Sequence, residues 1–298
     1  MKQGSHKAFD FFHRLRYRFY HKYHIYQERK GLRLLLEQIF LLAIIQGLTE
    51  FLPISSSGHL ILLPQFMGWE DQGLIMDVAV HVGTLGAVLF YFWREVIQLT
   101  IGFFNLVTGR FTKQARFFLN LSLATVPAVI LGSLISYFGL ELRSIGLVAS
   151  TSIFFGILMY IIDQRSPQIN TFKEMTLGRG FLVGCAQALA LIPGTSRSGA
   201  CMTMGRLLGF ERRDAARFSF LLSMPAIIAA ATHTGIKVVQ SGESLITHEL
   251  LIGIGVSLMS GLVAIHFMMR WLQKSSLTPF VIYRLFLGGA LLLWIAFA

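Results

Sequence analysis

Long apolar runs separated by short polar segments make up most of this chain. A helix needs about 20 apolar residues to cross a bilayer. Uninterrupted apolar runs near that length occupy six ranges: 74–93, 117–138, 145–162, 218–236, 249–269 and 280–297. The pattern therefore predicts an all-α integral membrane protein with six transmembrane helices.

Two further apolar regions, 35–67 and 178–210, are each divided near the middle by a polar segment. Pro53 lies in the first segment and Pro193 in the second, beside serine and glycine residues. Each half is too short to span a bilayer alone. Non-helical backbone at membrane depth is tolerated only where it is buried in protein or lines a wet cavity. We therefore predict two re-entrant helix-loop-helix hairpins.

The two hairpins resemble each other in sequence. A shift of 141 positions aligns five pairs of identical residues, namely Gln46 with Gln187, Leu48 with Leu189, Ser55 with Ser196, Ser57 with Ser198 and Gly58 with Gly199. Three spans separate the hairpins, so they would enter the membrane from opposite faces. This predicts an inverted-topology repeat with its site near the midplane. The alternative is that breaks rich in serine, glycine and proline look alike by chance.

Composition and loop charge agree with a membrane location. Hydrophobic residues make up 54% of the chain and charged residues only 14%, unlike an average soluble domain. Thirteen lysines and arginines lie in the loops of one side, whereas the short loops of the other side hold only Arg143 and Lys237. The positive-inside rule places the first side in the cytoplasm. The two cysteines provide neither a disulfide framework nor metal-ligand spacing.

The chain begins with a separate basic segment, so we expect a tail over 1–34 and a polytopic membrane domain over 35–298. Bulky apolar residues recur in the tail at helical spacing among lysines and arginines: Phe12, Leu15, Phe19, Tyr23 and Tyr26. This pattern is typical of an amphipathic helix lying on anionic headgroups. The loop charges leave the tail outside, which conflicts with its own charge. Basic residues beside aromatics also suit nucleic acid, but attachment to a membrane argues against that partner.

The polar segment of the first hairpin carries ionisable groups. Gln46 and Glu50 stand four residues apart, so on a helix they share one face. Glu50 could then be a base or a metal ligand, or a carboxylate bonded only to helix ends. One of the serines at 55–57 is expected to cap a new half-helix. His59 faces the same way as Ser56 and could transfer protons near neutral pH.

The second hairpin supplies the complementary charge. Arg197 is flanked by Ser196, Ser198 and Gly199 at the start of another half-helix, where unpaired amides and the helix dipole favour an anion. A guanidinium offers a bidentate fit to phosphate. An arginine at membrane depth needs a neutralising partner, which is either Glu50 or a bound anion. Pairing with Glu50 alone is the structural alternative.

Both polar segments resemble signatures of the undecaprenyl-diphosphate phosphatase family, also called bacitracin-resistance proteins. Residues 46–59 match the first signature, residues 193–199 match the second, and residues 218–225 are also similar. The likeness runs from about residue 35 to the end. It implies hydrolysis of undecaprenyl diphosphate to the monophosphate, which recycles the lipid carrier for cell-wall synthesis and gives bacitracin resistance. It also implies a multi-pass protein of the bacterial plasma (inner) membrane with a fold similar to the inverted repeat.

Carried onto matching positions, the resemblance implies an active site formed by Glu50, Ser56, His59, Ser196 and Arg197. Ser56 is the expected nucleophile, with Glu50 or His59 as its base. A phosphohistidine at His59 and direct attack by water stay open as alternatives. The phosphates are expected to bind at the two half-helix starts: Ser55, Ser57, Gly58, Ser196, Ser198 and Gly199.

Two positions depart from the family pattern. Gln46 stands where glutamate is frequent, which removes a negative ligand from the expected divalent-cation site for Mg²⁺ or Ca²⁺ at Gln46 and Glu50. Cys201 stands where threonine is common. A hydroxyl contact to phosphate from that position is therefore lost or replaced by a weak thiol donor.

The main alternative to an enzyme is a transporter or flippase for polyprenyl phosphate or another anion, since broken helices in inverted repeats are common in secondary transporters. A carrier needs only an anion site, whereas a phosphatase also needs a nucleophile and a base. Glu50, Ser56 and His59 within one short stretch favour the enzyme, and a structural scaffold explains none of them. The expected partners are a polyprenyl diphosphate lipid, membrane lipids and a second copy in a homodimer, with no nucleic acid.

Overall fold

The computed structural model describes residues 36–70, 72–139, 142, 144–241 and 247–297. Within these ranges the chain forms eleven α-helices and no β-strand. The helices are α1 (36–51), α2 (Ser56–Met67), α3 (Gly73–Tyr91), α4 (Trp93–Val107), α5 (Lys113–Tyr137), α6 (Ile145–Arg165), α7 (Leu177–Leu189), α8 (Arg197–Leu207), α9 (Arg212–Ser241), α10 (His248–Trp271) and α11 (Thr278–Phe297). A short 3₁₀ helix spans Phe172–Glu174. The predicted tail over 1–34 lies outside the described residues.

Six helices are long and apolar enough to cross a membrane: α3, α5, α6, α9 over Arg212–Ile236, α10 and α11. They coincide with the six apolar runs of the sequence, so this prediction is confirmed at the level of length and composition. Large apolar side chains on their outer faces are exposed, and Phe90 and Phe286 reach 73% and 75% exposure. A surface of this kind suits a hydrocarbon solvent and not water.

Both polar segments break a helix where the sequence predicts a break. A turn over 52–54 separates α1 from α2, and a loop over 190–196 separates α7 from α8. The helices α2, α7 and α8 contain 12, 13 and 11 residues. None of these three reaches the length of about 20 residues that a bilayer requires.

Helix α4 begins at Trp93, the last residue of the apolar run 74–93, and otherwise lies between that run and the run 117–138, where the sequence predicts no membrane span. Arg94 and Glu95 interrupt the apolar pattern at its start. The helix packs on α5 through Leu99 and Gly102, which are buried. A Cβ at Gly102 would collide with the carbonyl oxygen of Gln114, so glycine allows this close approach. The segment is helical because α5 covers one of its faces, which a local pattern does not show.

Helices pack in pairs with small residues at the contacts. Helix α3 packs on α10, α5 on α7 and α6 on α11. A Cβ at Gly83 would collide with the Ile254 carbonyl on α10, and one at Gly184 would collide with Ala124 on α5. Ser257 also donates a hydrogen bond to the carbonyl of Val80. Close backbone approach and hydrogen bonds between helices are the usual source of stability in a membrane.

A buried ion cluster ties one end of α8 to α6, α9 and α11. Asp163 accepts hydrogen bonds from Arg206 Nε at 3.1 Å, from Arg212 Nε at 2.7 Å and from the backbone N–H of Leu277 at 3.1 Å. Arg206 also donates to the carbonyls of residues 166, 167 and 210. Because Asp163 and Arg206 are each only 1% exposed, the cluster fixes the position of α8.

We expect Asp163→Ala to lower the free energy of unfolding by about 3–5 kcal/mol, because it leaves buried arginines without a counter-charge. Denaturant titration of the detergent-solubilised protein measures the change. Glu70→Ala, at an exposed carboxylate, is the matched control and should change stability little. Equal stability of the two variants would mean that Asp163 contributes nothing to holding α8.

Candidate active site

The start of α8 meets the turn that follows α1. Ser198 Oγ donates a hydrogen bond to the carbonyl of Leu52 at 2.9 Å. One residue earlier, Arg197 reaches Glu50. The polar segments of the two hairpins, which are about 140 residues apart in the chain, therefore form one site, as the sequence predicts.

The two half-helices begin with the same local structure. Ser55 has φ 73° and Ser196 has φ 71°, and they are the only non-glycine residues with positive φ in the described part of the chain. Ser55 Oγ accepts a hydrogen bond from the N–H of Gly58 at 3.4 Å, and Ser196 Oγ accepts one from Gly199 at 3.1 Å. Each serine is therefore an N-cap in a sparsely populated backbone conformation, which is characteristic of functional sites.

Glu50 is the centre of the site. It is 5% exposed, and its Oε2 accepts hydrogen bonds from Ser56 Oγ at 2.7 Å and from Gln46 Nε2 at 2.9 Å. Its Oε1 pairs with Arg197 at 3.1 Å. The predicted shared face of Gln46 and Glu50 is confirmed. A buried carboxylate with these partners keeps its charge, since both oxygens are stabilised.

Arg197 bridges the two hairpins and α9. One terminal nitrogen donates to Glu50, and the other donates to the carbonyl of Ser219 at 2.8 Å. The Nε atom is buried and has no hydrogen-bond partner within the described ranges. The guanidinium therefore forms the ion pair with Glu50, and its Nε is left as a buried donor without a partner among the described residues.

The site opens into a cavity of about 320 Å³. Its polar lining is formed by Glu50, Ser56, Ser57, Asp77, His81, Ser196 and Arg197. Its apolar lining comes from Leu74, Val78, Ala190, Ala226, Ile227 and Ala230, which belong mainly to α3 and α9. A cavity that is polar at one part and apolar at another suits a charged headgroup attached to an apolar chain.

The predicted phosphate-binding residues separate into two groups. Ser57 and Ser196 line the cavity beside Arg197. Ser198 instead joins the two hairpins through Leu52. The other members of the set, Ser55, Gly58 and Gly199, form the two helix caps. Ser57 and Ser196 face the cavity, and Ser196 also caps its half-helix, whereas the remaining members only hold the half-helix starts in place.

His59 contacts α11 and does not line the cavity at Glu50. Its Nδ1 is 2.7 Å from the carbonyl oxygen of Ser55, and its Nε2 is 2.6 Å from the hydroxyl of Tyr283 on α11. The two rings stack with centroids 5.7 Å apart and planes at 12°. Glu50, and not His59, contacts the hydroxyl of Ser56. A chemical role for His59 stays a prediction.

Four polar residues near the site are missing from the sequence prediction, and one of them, Asp77, lines the cavity. His81 Nε2 lies 3.6 Å from Glu50 Oε2, and Nδ1 of the same ring is 2.6 Å from the carbonyl of Asp77. Tyr283 holds His59. Arg284 is 1% exposed and donates to the carbonyls of Ser152 and Gly194. The sequence does contain a signal for these residues, because each is a polar residue inside an apolar run.

The site combines a buried ion pair between two broken helices, a hydroxyl bonded to its carboxylate and a partly apolar cavity. These features are typical of a membrane protein that binds an anionic ligand. The family model described as bacitracin resistance protein BacA matches residues 39–290. The chain belongs to this family, and the resemblance stated from the two signatures is confirmed.

This chain covers nearly the whole length of its curated relatives. A protein of Saccharophagus degradans called undecaprenyl-diphosphatase is 46% identical over 265 residues, which are 88% of this chain and 99% of the relative. A protein of Aliivibrio salmonicida with the same name is 45% identical over 261 residues, 87% of this chain and 98% of the relative. A third, from a Jannaschia species, is 46% identical over 263 residues, 87% and 98% of the two chains.

Proposed function

We propose that this chain hydrolyses undecaprenyl diphosphate to undecaprenyl phosphate and inorganic phosphate. The product recycles the lipid carrier for cell-wall synthesis, and this activity confers bacitracin resistance. Family membership and the shared name of the relatives support the reaction. The observation in the structure that carries it is the hydrogen bond of Ser56 to Glu50, the carboxylate that Arg197 holds in place.

The substrate would bind with its headgroup at the two half-helix starts. Helix N-termini present backbone N–H groups to an anion, and Arg197 adds a charged donor at the same place. The apolar side of the cavity, formed by α3 and α9, would receive the first part of the polyprenyl chain. The remainder of the polyprenyl chain would contact bulk lipid along the outer helix faces, which are apolar.

The chemical step needs a nucleophile beside a base. In the serine route, Glu50 Oε2 takes the proton of Ser56 Oγ while this oxygen bonds to the terminal phosphorus. The bond from that phosphorus to the bridging oxygen breaks, and undecaprenyl phosphate leaves. Glu50 passes the proton to the leaving lipid phosphate and is ionised again. Water then attacks the phosphoserine, and Glu50 takes a proton from this water. The bond from phosphorus to Ser56 Oγ breaks, and the proton passes to Ser56 Oγ as inorganic phosphate leaves. Arg197 stabilises the charge on the transferred oxygens in both steps.

Direct attack by water is the second route through the same contacts. Glu50 would then take the proton of the water, and Ser56 would orient the carboxylate through its hydrogen bond at 2.7 Å. Both routes need a charged Glu50 and a bidentate Arg197. They differ in whether the Ser56 oxygen becomes bonded to phosphorus.

A divalent cation, Mg²⁺ or Ca²⁺, is part of the proposal, with Glu50 and Gln46 as its protein ligands. Gln46 Oε1 is buried without a hydrogen-bond partner in the described ranges, and amide and carboxylate oxygens suit these ions. No group of three histidine, cysteine, aspartate or glutamate side chains in those ranges could hold a metal, so the substrate would have to supply further oxygens. When bound, the ion would neutralise phosphate charge.

The function is tested by phosphate release from undecaprenyl diphosphate with purified protein in detergent, with and without a chelator. The wild-type chain should release phosphate, and Arg197→Ala should release almost none. Arg110→Ala, at an exposed arginine of the α4–α5 loop, is the matched control and should stay active. A folded wild-type protein that binds the lipid and releases no phosphate would contradict the proposal and favour the carrier.

We further propose that the two broken helices are re-entrant hairpins of an inverted repeat in the plasma membrane. The matching caps at Ser55 and Ser196, 141 positions apart, support the repeat. The order of elements supports it too, because a half-helix pair followed by long helices occurs twice, as α1 to α6 and as α7 to α11. Assembly into a homodimer stays a prediction.

Accessibility labelling tests this topology. Single cysteines at Arg110 and at His248, in a background without Cys185 and Cys201, should react with an impermeant thiol reagent from opposite sides. The reason is that α5, α6 and α9 cross the membrane between them, whereas a re-entrant α7–α8 pair does not change sides. Retained phosphate release checks the folding of each variant. Labelling of both positions from the same side would mean that α7 and α8 together cross the membrane.

A further inference from the structure

A second groove, with a volume of about 1210 Å³, lies between the end of α3, the start of α4 and the second half of α10. None of the residues that line it lines the cavity at Glu50 and Arg197. The mechanism proposed above does not use this groove. Its ligand must therefore be inferred from its own chemistry.

The groove changes from apolar to basic along α10. Val263 and Phe267 line its apolar part, and Arg270 and Lys274 line the part at the end of the helix. Leu262 and Trp271 are nine residues apart on α10, about 14 Å at 1.5 Å per residue, and Lys274 lies just beyond the end of the helix. Val263 is 63% exposed and Phe90 on the facing wall is 73% exposed. The groove is thus open to the surroundings of the protein along its length.

The basic end has no acidic counterpart. The groove lining contains no aspartate or glutamate, and no acidic side chain of the described residues forms an ion pair with Arg270 or Lys274. The arginines at 197, 206, 212 and 217 all pair with carboxylates. The two unpaired cations both line the groove at this end, Arg270 in the last turn of α10 and Lys274 just after the helix.

Aromatic residues mark the level of the membrane interface at this end. Trp93 and Trp271 both line the groove. The Trp271 indole N–H donates to the carbonyl of Ser276 at 3.1 Å, and its ring stacks on Phe267 with centroids 5.7 Å apart. Tryptophan is enriched where headgroups meet hydrocarbon. The basic end therefore lies at headgroup level, and the apolar part extends towards the hydrocarbon core.

We propose that this groove is a binding site for an anionic phospholipid of the cytoplasmic leaflet. The lipid phosphate lies between Arg270 and Lys274, and an acyl chain follows Phe267 and Val263 towards the membrane interior. The loop charges place the end of α10 in the cytoplasm. Basic pockets between transmembrane helices on that side bind the headgroups of anionic lipids.

Tryptophan fluorescence tests the site directly. The chain has four tryptophans, and replacing Trp69 and Trp294 with phenylalanine leaves the two in the groove. Phosphatidylglycerol with brominated acyl chains, added to this protein in neutral detergent, should quench their fluorescence. The equivalent brominated phosphatidylcholine should need at least a tenfold higher mole fraction, because each basic residue near the headgroup favours the anionic lipid.

Charge variants distinguish lipid binding in the groove from general attraction of anionic lipids to a basic protein. Arg270→Gln with Lys274→Gln should abolish the preference for phosphatidylglycerol. Arg110→Gln with Lys113→Gln, at exposed positions in the α4–α5 loop and at the first residue of α5, should keep it. Native mass spectrometry of the unsubstituted chain should show retained phosphatidylglycerol. Equal quenching by the two lipids, or equal loss of preference in both double variants, would overturn the proposal. Two further results would overturn the proposal. One is displacement of the brominated lipid by an equal mole fraction of undecaprenyl phosphate, and the other is a dimer without retained lipid.

Discussion

Replacing Arg197 with lysine should lower phosphate release from undecaprenyl diphosphate by at least about 100-fold, although the positive charge is kept. The guanidinium donates to Glu50 and to the carbonyl of Ser219 from different nitrogens, and its side chain lines the cavity. A lysine ammonium is a point charge without this planar fork. It cannot hold the carboxylate and contact the phosphate in the same geometry.

The matched control is Arg217→Lys, at an arginine that pairs with Glu95 outside the cavity. This variant should stay within a few-fold of the wild-type rate. Initial rates at saturating and at low substrate separate a lower kcat from weaker binding. If Arg197→Lys folds and turns over near the wild-type rate, the bidentate role of Arg197 is wrong, and charge alone explains this position.

Most of the architecture follows from the local pattern of the sequence. Each long apolar run becomes a long helix, and each segment with proline, glycine and serine becomes a break, because these features act within one or two helical turns. Helix α4 is the exception, since burial of Leu99 and Gly102 against α5 stabilises it. The tail over 1–34 stays a prediction.

The site follows from the sequence only in part. The contact of Gln46 with Glu50 is local, so spacing predicts it, and the charge of Arg197 predicts its partner. The surroundings of His59 depend on Tyr283, which is 224 positions further along the chain. His81 reaches Glu50 only because α3 packs beside the hairpins. No periodicity in the sequence specifies such contacts between distant helices.

The two matching caps link fold and chemistry. Ser55 and Ser196 hold positive φ values that cost energy for a residue with a side chain. In return, each turn directs the next residue, Ser56 or Arg197, towards Glu50. The nucleophile candidate and the cation are thus the first residues of their half-helices. Ser56 and Arg197, which the shift of 141 positions aligns, thus contact the same carboxylate with different chemistries.

Ser56→Ala and His59→Ala should each lower phosphate release by about 100-fold or more, the scale for loss of a positioned acid–base or nucleophilic group. The two losses of activity have different causes. Ser56→Ala removes the hydroxyl that donates to Glu50 at 2.7 Å. His59→Ala removes the contact of α2 with Tyr283, and it removes the only imidazole of the first hairpin among the described residues. The exposed Ser150→Ala is the control and should keep full activity.

Tyr283→Phe separates the two possible roles of His59. If His59 positions α2 through its hydrogen bond to Tyr283, Tyr283→Phe should reproduce much of the loss and leave the pH profile unchanged. If His59 transfers a proton itself, Tyr283→Phe should stay active, and His59→Ala should remove one limb of the pH profile. A radiolabelled phosphoserine in wild-type protein, absent from Ser56→Ala, would identify the serine route. Near-normal turnover by Ser56→Ala together with an inactive Glu50→Gln would show that Glu50 activates water instead.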